Sequence, residues 1–175
     1  MTLLLHSEAM QHEISRMAHE MVKRNGGAQD LVLIGLQTRG VFLARRLAAE
    51  IQSITDKRVA TGELDISMHR DDLNLRGSTP KVKRTEIPLG LDGKTVVLVD
   101  DVLFTGRSIR AAMDALNDFG RPRHIQLAVL IDRGHRELPI QPDYVGKGVK
   151  TSLQERIHVR MKEEDGLDEV ALEKS

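Results

Sequence analysis

Asp100 and Asp101 are the residues best placed to do chemistry. They follow Val96–Val97–Leu98–Val99 and precede Val102, Leu103, Phe104, Thr105, Gly106, Arg107 and Ser108. The four apolar residues read as a strand buried on both faces, because no polar residue interrupts them. From Ser108 to Phe119 the pattern turns helical, with Ile109, Ala112, Met113 and Leu116 on one face. A polar, glycine-containing loop that opens a helix offers backbone N–H groups and hydroxyls to an anion. Carboxylates just upstream can hold a sugar diol and a hard cation. Phosphate, ribose and magnesium are therefore implied together. A strand-ending Asp or a helix-capping Thr is common by itself; the whole run is not. No Gly-Lys-Ser/Thr closes it as in a P-loop, and the glycine spacing of a dinucleotide fingerprint is missing.

A second turn has the same logic. Gly35-Leu36-Gln37-Thr38-Arg39-Gly40 follows the buried strand Leu31–Ile34 and opens a helix over Val41–Ile51. Its N–H groups and Arg39 can grip another anion, with Gly40 permitting close approach. Around these turns, residues 8–24 form an amphipathic helix with Ile14, Met17, Ala18, Met21 and Val22 on one face. Arg16, His19 and Lys23 lie opposite, as on many solvated helix faces, and Asn25-Gly26-Gly27 ends it. Val59–Ile66 and Ile125–Ile131 read as further strands, and alternation at Ile157, Val159 and Met161 as a late one before an acidic tail. Strands alternating with helices imply an α/β fold around a mostly parallel sheet, with ligands at the carboxyl ends of its strands. The polar stretch 69–84, with Arg70, Asp71 and Asp72, is too long for a plain connector. A mobile surface hairpin and a lid over a charged substrate both account for it; Arg70 and the acidic pair favour the lid.

Composition narrows the function class. The 175 residues suit one domain with a full core. Lys plus Arg and Asp plus Glu balance at 26 each, so no bulk field draws the chain to nucleic acid or membrane. The absence of cysteine excludes disulfides and thiolate zinc sites, and the seven histidines show no metal-ligand spacing. No signal peptide or long apolar run is present, so a cytoplasmic protein is expected. With only Phe42, Phe104, Phe119 and Tyr144 as aromatics, base stacking on an aromatic platform is a poor route to nucleic acid.

The Asp100–Ser108 run resembles the phosphoribosyl diphosphate (PRPP) motif of type I phosphoribosyltransferases. The resemblance implies that Asp100 and Asp101 contact the ribose, that Thr105 to Ser108 hold the 5′-phosphate, and that Thr38, Arg39 and Gly40 form the pyrophosphate loop. Phe104 stands where hypoxanthine-guanine transferases carry a purine-reading aspartate, which removes support for a purine reaction. Five segments are instead similar to the family of bifunctional pyrimidine operon attenuators/uracil phosphoribosyltransferases. They are Arg16–Met21, Thr38–Gly40, Arg70–Leu73, Asp100–Ser108 and Ala128–Pro139, and the likeness runs from about residue 8 to 160.

That family implies a twisted sheet flanked by helices, a flexible lid at about 69–84, and a small hood from the N-terminal and 132–160 segments, all within one domain, residues 1–175. It implies a glycosyltransferase making UMP and pyrophosphate from PRPP and uracil, with Mg2+ held by PRPP, water, Asp100 and Asp101. Arg39 and Arg70 would stabilise the leaving group. The uracil pocket would lie near Asp132–Arg136; Val102, Leu103 and Phe104 serve equally as pocket wall or as packing. The family also implies UMP-dependent binding of a stem-loop in the leader mRNA of a pyrimidine operon, by attenuation or translational repression. Its RNA-binding positions match Ser15, Arg16, His19, Arg24, Arg136 and Lys147. Gln141 replaces the family's usual arginine, and His69 its usual tyrosine. DNA and membrane are not among the implied partners; a homodimer or homotetramer is. A uracil salvage enzyme without RNA binding is the alternative.

Overall fold

The computed structural model describes residues 1–69 and 83–175. In chain order the elements are β1 (Thr2–Leu5), α1 (Ser7–Asn25), β2 (Leu31–Leu36), α2 (Arg39–Thr55), β3 (Ala60–Leu64), β4 (Thr95–Leu103), α3 (Arg107–Leu116), β5 (His124–Asp132), β6 (Tyr144–Gly148), β7 (Arg156–Arg160), α4 (Lys162–Asp165) and β8 (Glu169–Glu173). The apolar runs of β2, β4 and β5 have no hydrophilic face to show to water, and they are the interior strands of a five-stranded sheet of order β3-β2-β4-β5-β6. Every pairing in it is parallel. Alternate side chains fill two cores. Leu33, Val97, Val99 and Leu130 pack with Met17 and Met21 of α1 and Leu43 and Leu47 of α2. On the other face Ile34, Val96, Leu98 and Val129 pack with Ile109, Ala112 and Leu116 of α3.

Strand order reverses between β2 and β4. From β2 the chain crosses outward to β3, whereas from β4 it crosses the opposite way to β5. Right-handed crossovers in opposite directions put their helices on opposite faces, as α2 and α3 are. The crevice at the carboxyl ends of β2 and β4 is thus a topological switch point, where ligands of open α/β sheets bind.

Several boundaries differ from the sequence expectation. β4 does not stop at Val99: it continues in register with β5 through Leu103–Asp132, so Asp100, Asp101, Val102 and Leu103 are strand residues. Gly35 and Leu36 belong to β2, paired with Glu63 and Leu64. β1 and β6 are additional strands. The acidic tail is structured as well. It forms α4 and β8, and β8 joins β1 and β7 in an antiparallel sheet of order β1-β8-β7. Val170, Ala171 and Leu172 are buried there, with Leu5, Val159, Met161 and Val170 joining the α1–α2 core. Helix α1 ends as expected, with Gly26 in the left-handed region and its N–H turned back to Lys23 and Val22.

Candidate functional site

The two turns singled out by sequence meet at the switch point. Helix α2 starts against the sheet because Gly40 and the facing Gly35 carry no side chain: a Cβ on Gly40 would lie 2.4 Å from the Val99 carbonyl oxygen, and one on Gly35 2.3 Å from the Gly40 carbonyl. Only glycines permit this approach. It brings Thr38, Arg39 and Gly40 beside the end of β4, where Asp100 and Asp101 sit half-buried. Neither N-cap residue bonds its helix through a side chain, and at the start of α3 the Thr105 hydroxyl accepts the Arg107 N–H at 3.3 Å. The first N–H groups of a helix lack intrahelical partners and carry the positive end of the dipole. Two such ends flanking two carboxylates suit a ligand with anionic groups at either end of a polyol.

The Asp100–Ser108 run is braced from below. The Asp100 carboxylate accepts the Asp101 N–H at 2.8 Å, and that of Asp101 accepts the Val102 N–H at 2.8 Å. Gly106 takes a positive φ of 95°, which turns the chain into α3. The Leu103 carbonyl accepts from the Arg133 N–H and the Thr105 carbonyl from the Glu137 N–H. Arg107 donates to Glu137 at 2.8 Å. Leu103 is buried in the α3-side core and Val102 packs against the opposite one, which favours packing roles for both. Phe104 lies under the Arg133 guanidinium, 4.1 Å from its ring centre, and meets the edge of His135 at 5.8 Å. Burial pushes Arg133 below its ordinary pKa, with Glu155 opposing.

Arg39 is engaged within the chain. Its Nε and Nη2 donate to the two oxygens of Asp165, at 3.1 and 2.7 Å. That fork holds Arg39 above its usual pKa against burial, with Asp101 and Glu164 adding through space, and it holds the Asp165 carboxyl below its usual range. Sequence analysis had no signal for Asp165, whose partner is 126 residues away. It also missed the placement of Lys83, whose ammonium donates to the Thr38 hydroxyl. The Gln37 amide donates to the Arg84 carbonyl at 2.8 Å. Arg70 and the rest of the expected lid, apart from His69, Lys83 and Arg84, fall outside the described residues.

The residues matched to RNA binding divide between α1 and the region after β5. Arg16 donates to Glu13, to Glu20 at 2.5 Å, and to the carbonyls of Val145 and Gly146 at 2.7 and 2.9 Å. Burial alone would lower its pKa, but the two glutamates raise it. His19 contacts the Ser15 carbonyl at 2.8 Å through Nδ1. Arg24 pairs with Asp143 at 2.9 Å and lies over the Tyr144 ring. Lys147 is exposed and reaches the Leu4 carbonyl at 3.3 Å. α1 packs against β6, and Arg16 and Arg24 reach across that seam. Arg136 stands apart, donating to Phe104, Ile140 and Asp132 at 2.9, 2.9 and 2.7 Å. Two hollows of about 590 and 760 Å³ flank this segment and share Asp132 and Gly134–Arg136.

Among the described residues no group of three or more His, Asp or Glu could hold a metal. Asp100 and Asp101 offer carboxylate oxygens of the kind Mg2+ prefers, but too few for a dedicated site. The pair fits a cation that arrives with most of its ligands from substrate and water. No helix among the described residues is long and apolar enough to cross a membrane.

Comparison with known proteins places this geometry in context. A family model described as phosphoribosyl transferase domain matches residues 2–162. The bifunctional protein PyrR of Chloroflexus aurantiacus is 57% identical over 97% of this chain and 93% of its own length. That of Streptomyces coelicolor is 61% identical over 91% of this chain and 82% of its own. Among solved structures, the hypoxanthine phosphoribosyltransferase from Trypanosoma cruzi in complex with the product IMP aligns with a TM-score of 0.74. It covers 98% of this chain and 93% of its own at 16% identity, a likeness of fold alone.

Proposed function

Because the chain belongs to the PyrR family of phosphoribosyltransferases, we infer that it is bifunctional. It is a UMP-dependent RNA-binding regulator of pyrimidine operon expression and a uracil phosphoribosyltransferase, converting PRPP and uracil to UMP and pyrophosphate. The observation that carries the catalytic half is the meeting of the Thr38–Gly40 turn with the Asp100–Ser108 run at the switch point.

In this reading Asp100 and Asp101 orient the ribose hydroxyls, and the turn from Thr105 to Ser108 holds the 5′-phosphate with the α3 N-terminus. As the C1–oxygen bond to pyrophosphate breaks and uracil N1 attacks, positive charge grows on the ribose and negative charge on the leaving group. The two carboxylates offset the first. Arg39, the α2 N-terminus and Arg70 offset the second. Mg2+, when bound with PRPP, neutralises part of the diphosphate charge. The uracil ring is assigned to the segment Asp132–Arg136, which follows β5 and lines two open hollows. The three-stranded sheet serves as the hood, which draws on the C-terminal strand β8 as well as the N-terminus, within a single domain. RNA is assigned to Ser15, Arg16, His19, Arg24, Lys147 and Arg136; the position of Arg16 and Arg24 on the α1–β6 seam supports the first group, while Arg136, which stands apart, rests on the family resemblance alone. A cytoplasmic homodimer or homotetramer completes the reading.

The test pairs both activities. Wild-type protein should bind the leader RNA of its pyrimidine operon more tightly with UMP than without it. Asp100→Asn combined with Asp101→Asn should lose about a hundredfold or more in UMP synthesis while remaining folded. Synthesis at the wild-type rate would overturn the ribose assignment. Failure to bind RNA by protein that still makes UMP would favour a salvage enzyme.

A further inference from the structure

Helix α2 carries two arginines seven residues apart, Arg39 and Arg46, hence on one face two turns from each other. Both are forked by acids of a single short segment near the C-terminus. Arg46 takes Glu163 at 2.9 and 2.6 Å and Asp168 at 3.0 and 2.7 Å. Arg39 takes Asp165 alone. The Asp165 carboxylate is itself fixed, since Oδ2 accepts the Met161 N–H at 2.8 Å and the Asp165 N–H returns to the Met161 carbonyl at 2.7 Å. Arg46 thus pins the α4 turn to α2, and the turn in its place fixes the carboxylate that meets Arg39.

We propose that Asp165 is a positioning residue for the reaction, acting through Arg39 to hold its guanidinium ready for the pyrophosphate end of PRPP. The fork uses two of the five guanidinium N–H donors and leaves three for an anion. An arginine at the exposed start of a helix samples many rotamers, and ordering them detracts from binding; a bidentate partner imposes that order beforehand. Asp165 also subtracts charge from the site. The pair is about one-third exposed on the arginine side, so solvent screens that loss while the geometry persists. Orientation therefore outweighs neutralisation. The C-terminal segment becomes part of the active centre although it contacts no substrate itself.

The inference rests on the assignment of Arg39 to pyrophosphate, and the experiment separates the two. Steady-state kinetics of UMP synthesis, with pyrophosphate inhibition, are measured for Arg39→Gln, Asp165→Ala, Asp165→Asn and Glu164→Gln. Asp165→Ala should raise the KM for PRPP about tenfold, the scale at which loss of an orienting partner is felt at other sites. It should weaken pyrophosphate inhibition by a similar factor and leave the KM for uracil unchanged. Asp165→Asn keeps one oxygen, at the position shared by Arg39 Nε and the Met161 N–H, so it should fold as the parent does; its NH2 meets the Arg39 Nη2 donor and breaks the fork, so the same constants should shift in the same direction. Glu164→Gln removes a nearby charge without touching the fork and should match the parent. Normal PRPP and pyrophosphate constants in folded Asp165→Asn and Asp165→Ala, beside an impaired Arg39→Gln, would overturn the positioning role alone. Tighter PRPP binding in the Asp165 variants would overturn it too. A normal Arg39→Gln would overturn the assignment beneath it.

Discussion

Arg133 shows how far a single side chain departs from what its neighbours in sequence announce. It lies in the distinctive run Asp132–Arg133–Gly134–His135–Arg136, yet only 8% of it is exposed. Its Nε donates to the Thr151 hydroxyl at 3.2 Å and its Nη2 to the Ser152 carbonyl at 2.9 Å, while the guanidinium covers Phe104. Arg133→Ala would remove the ring contact and the two bonds that tie β5 to Thr151 and Ser152. We expect a loss of about 2–3 kcal/mol, read from denaturant unfolding. Arg133→Lys should recover little of it, because an ammonium cannot make the same fork. Arg136 carries the complementary lesson. Chemistry-bearing by type and matched to RNA binding by resemblance, it spends its donors on Phe104, Ile140 and Asp132, bracing the Asp100–Ser108 run.

At the scale of elements, the site depends on how closely α2 approaches β4. The Gly40 contact with the Val99 carbonyl allows no Cβ, so Gly40→Ala must lift the first turn of α2 or bend β4. Overpacking of this kind costs about 1–3 kcal/mol. The expected signature is a lowered melting temperature together with a raised KM for PRPP, since the displaced turn carries Thr38 and Arg39. A melt and a KM both equal to the parent's would show that the turn adjusts freely. The strong elements were legible. β2, β4 and β5 each contain an apolar run of four or more residues, and α1 has a clear apolar stripe. β1, β6 and β8 were not, because they are four or five residues long and lack a consistent alternation. The carboxyl end of β4 was misplaced for a related reason. Asp100 and Asp101 look like loop residues, but the ladder to β5 runs past them through Leu103, and the Asp101 N–H is taken by the Asp100 carboxylate.

For the whole molecule, the balance of charges leaves no long-range field for RNA, so binding must come from a local arrangement. Several cations on the α1–β6 seam already have acidic partners, Glu13 and Glu20 for Arg16 and Asp143 for Arg24. Arg16 also ties α1 to β6 through two carbonyls, which makes its substitution a structural change as well. Arg24→Gln and Lys147→Gln are cleaner probes. Each should weaken leader RNA binding and reduce the slope of log affinity against log salt by about 1, with UMP synthesis at the parent rate. Unchanged salt slopes would remove these two residues from the phosphate-contacting surface.

The sequence by itself determined the α/β class, the two anion-binding turns and their likeness to phosphoribosyltransferases. Each of these is written in local order: an apolar run, then polar turn residues, then a helical period. Tertiary structure alone decided that the two turns share one crevice, because only strand order creates a switch point. It also decided that an acidic segment near the C-terminus closes on Arg39 and Arg46. Residues more than a hundred positions apart meet there through sheet and helix packing, and no local propensity records such a meeting.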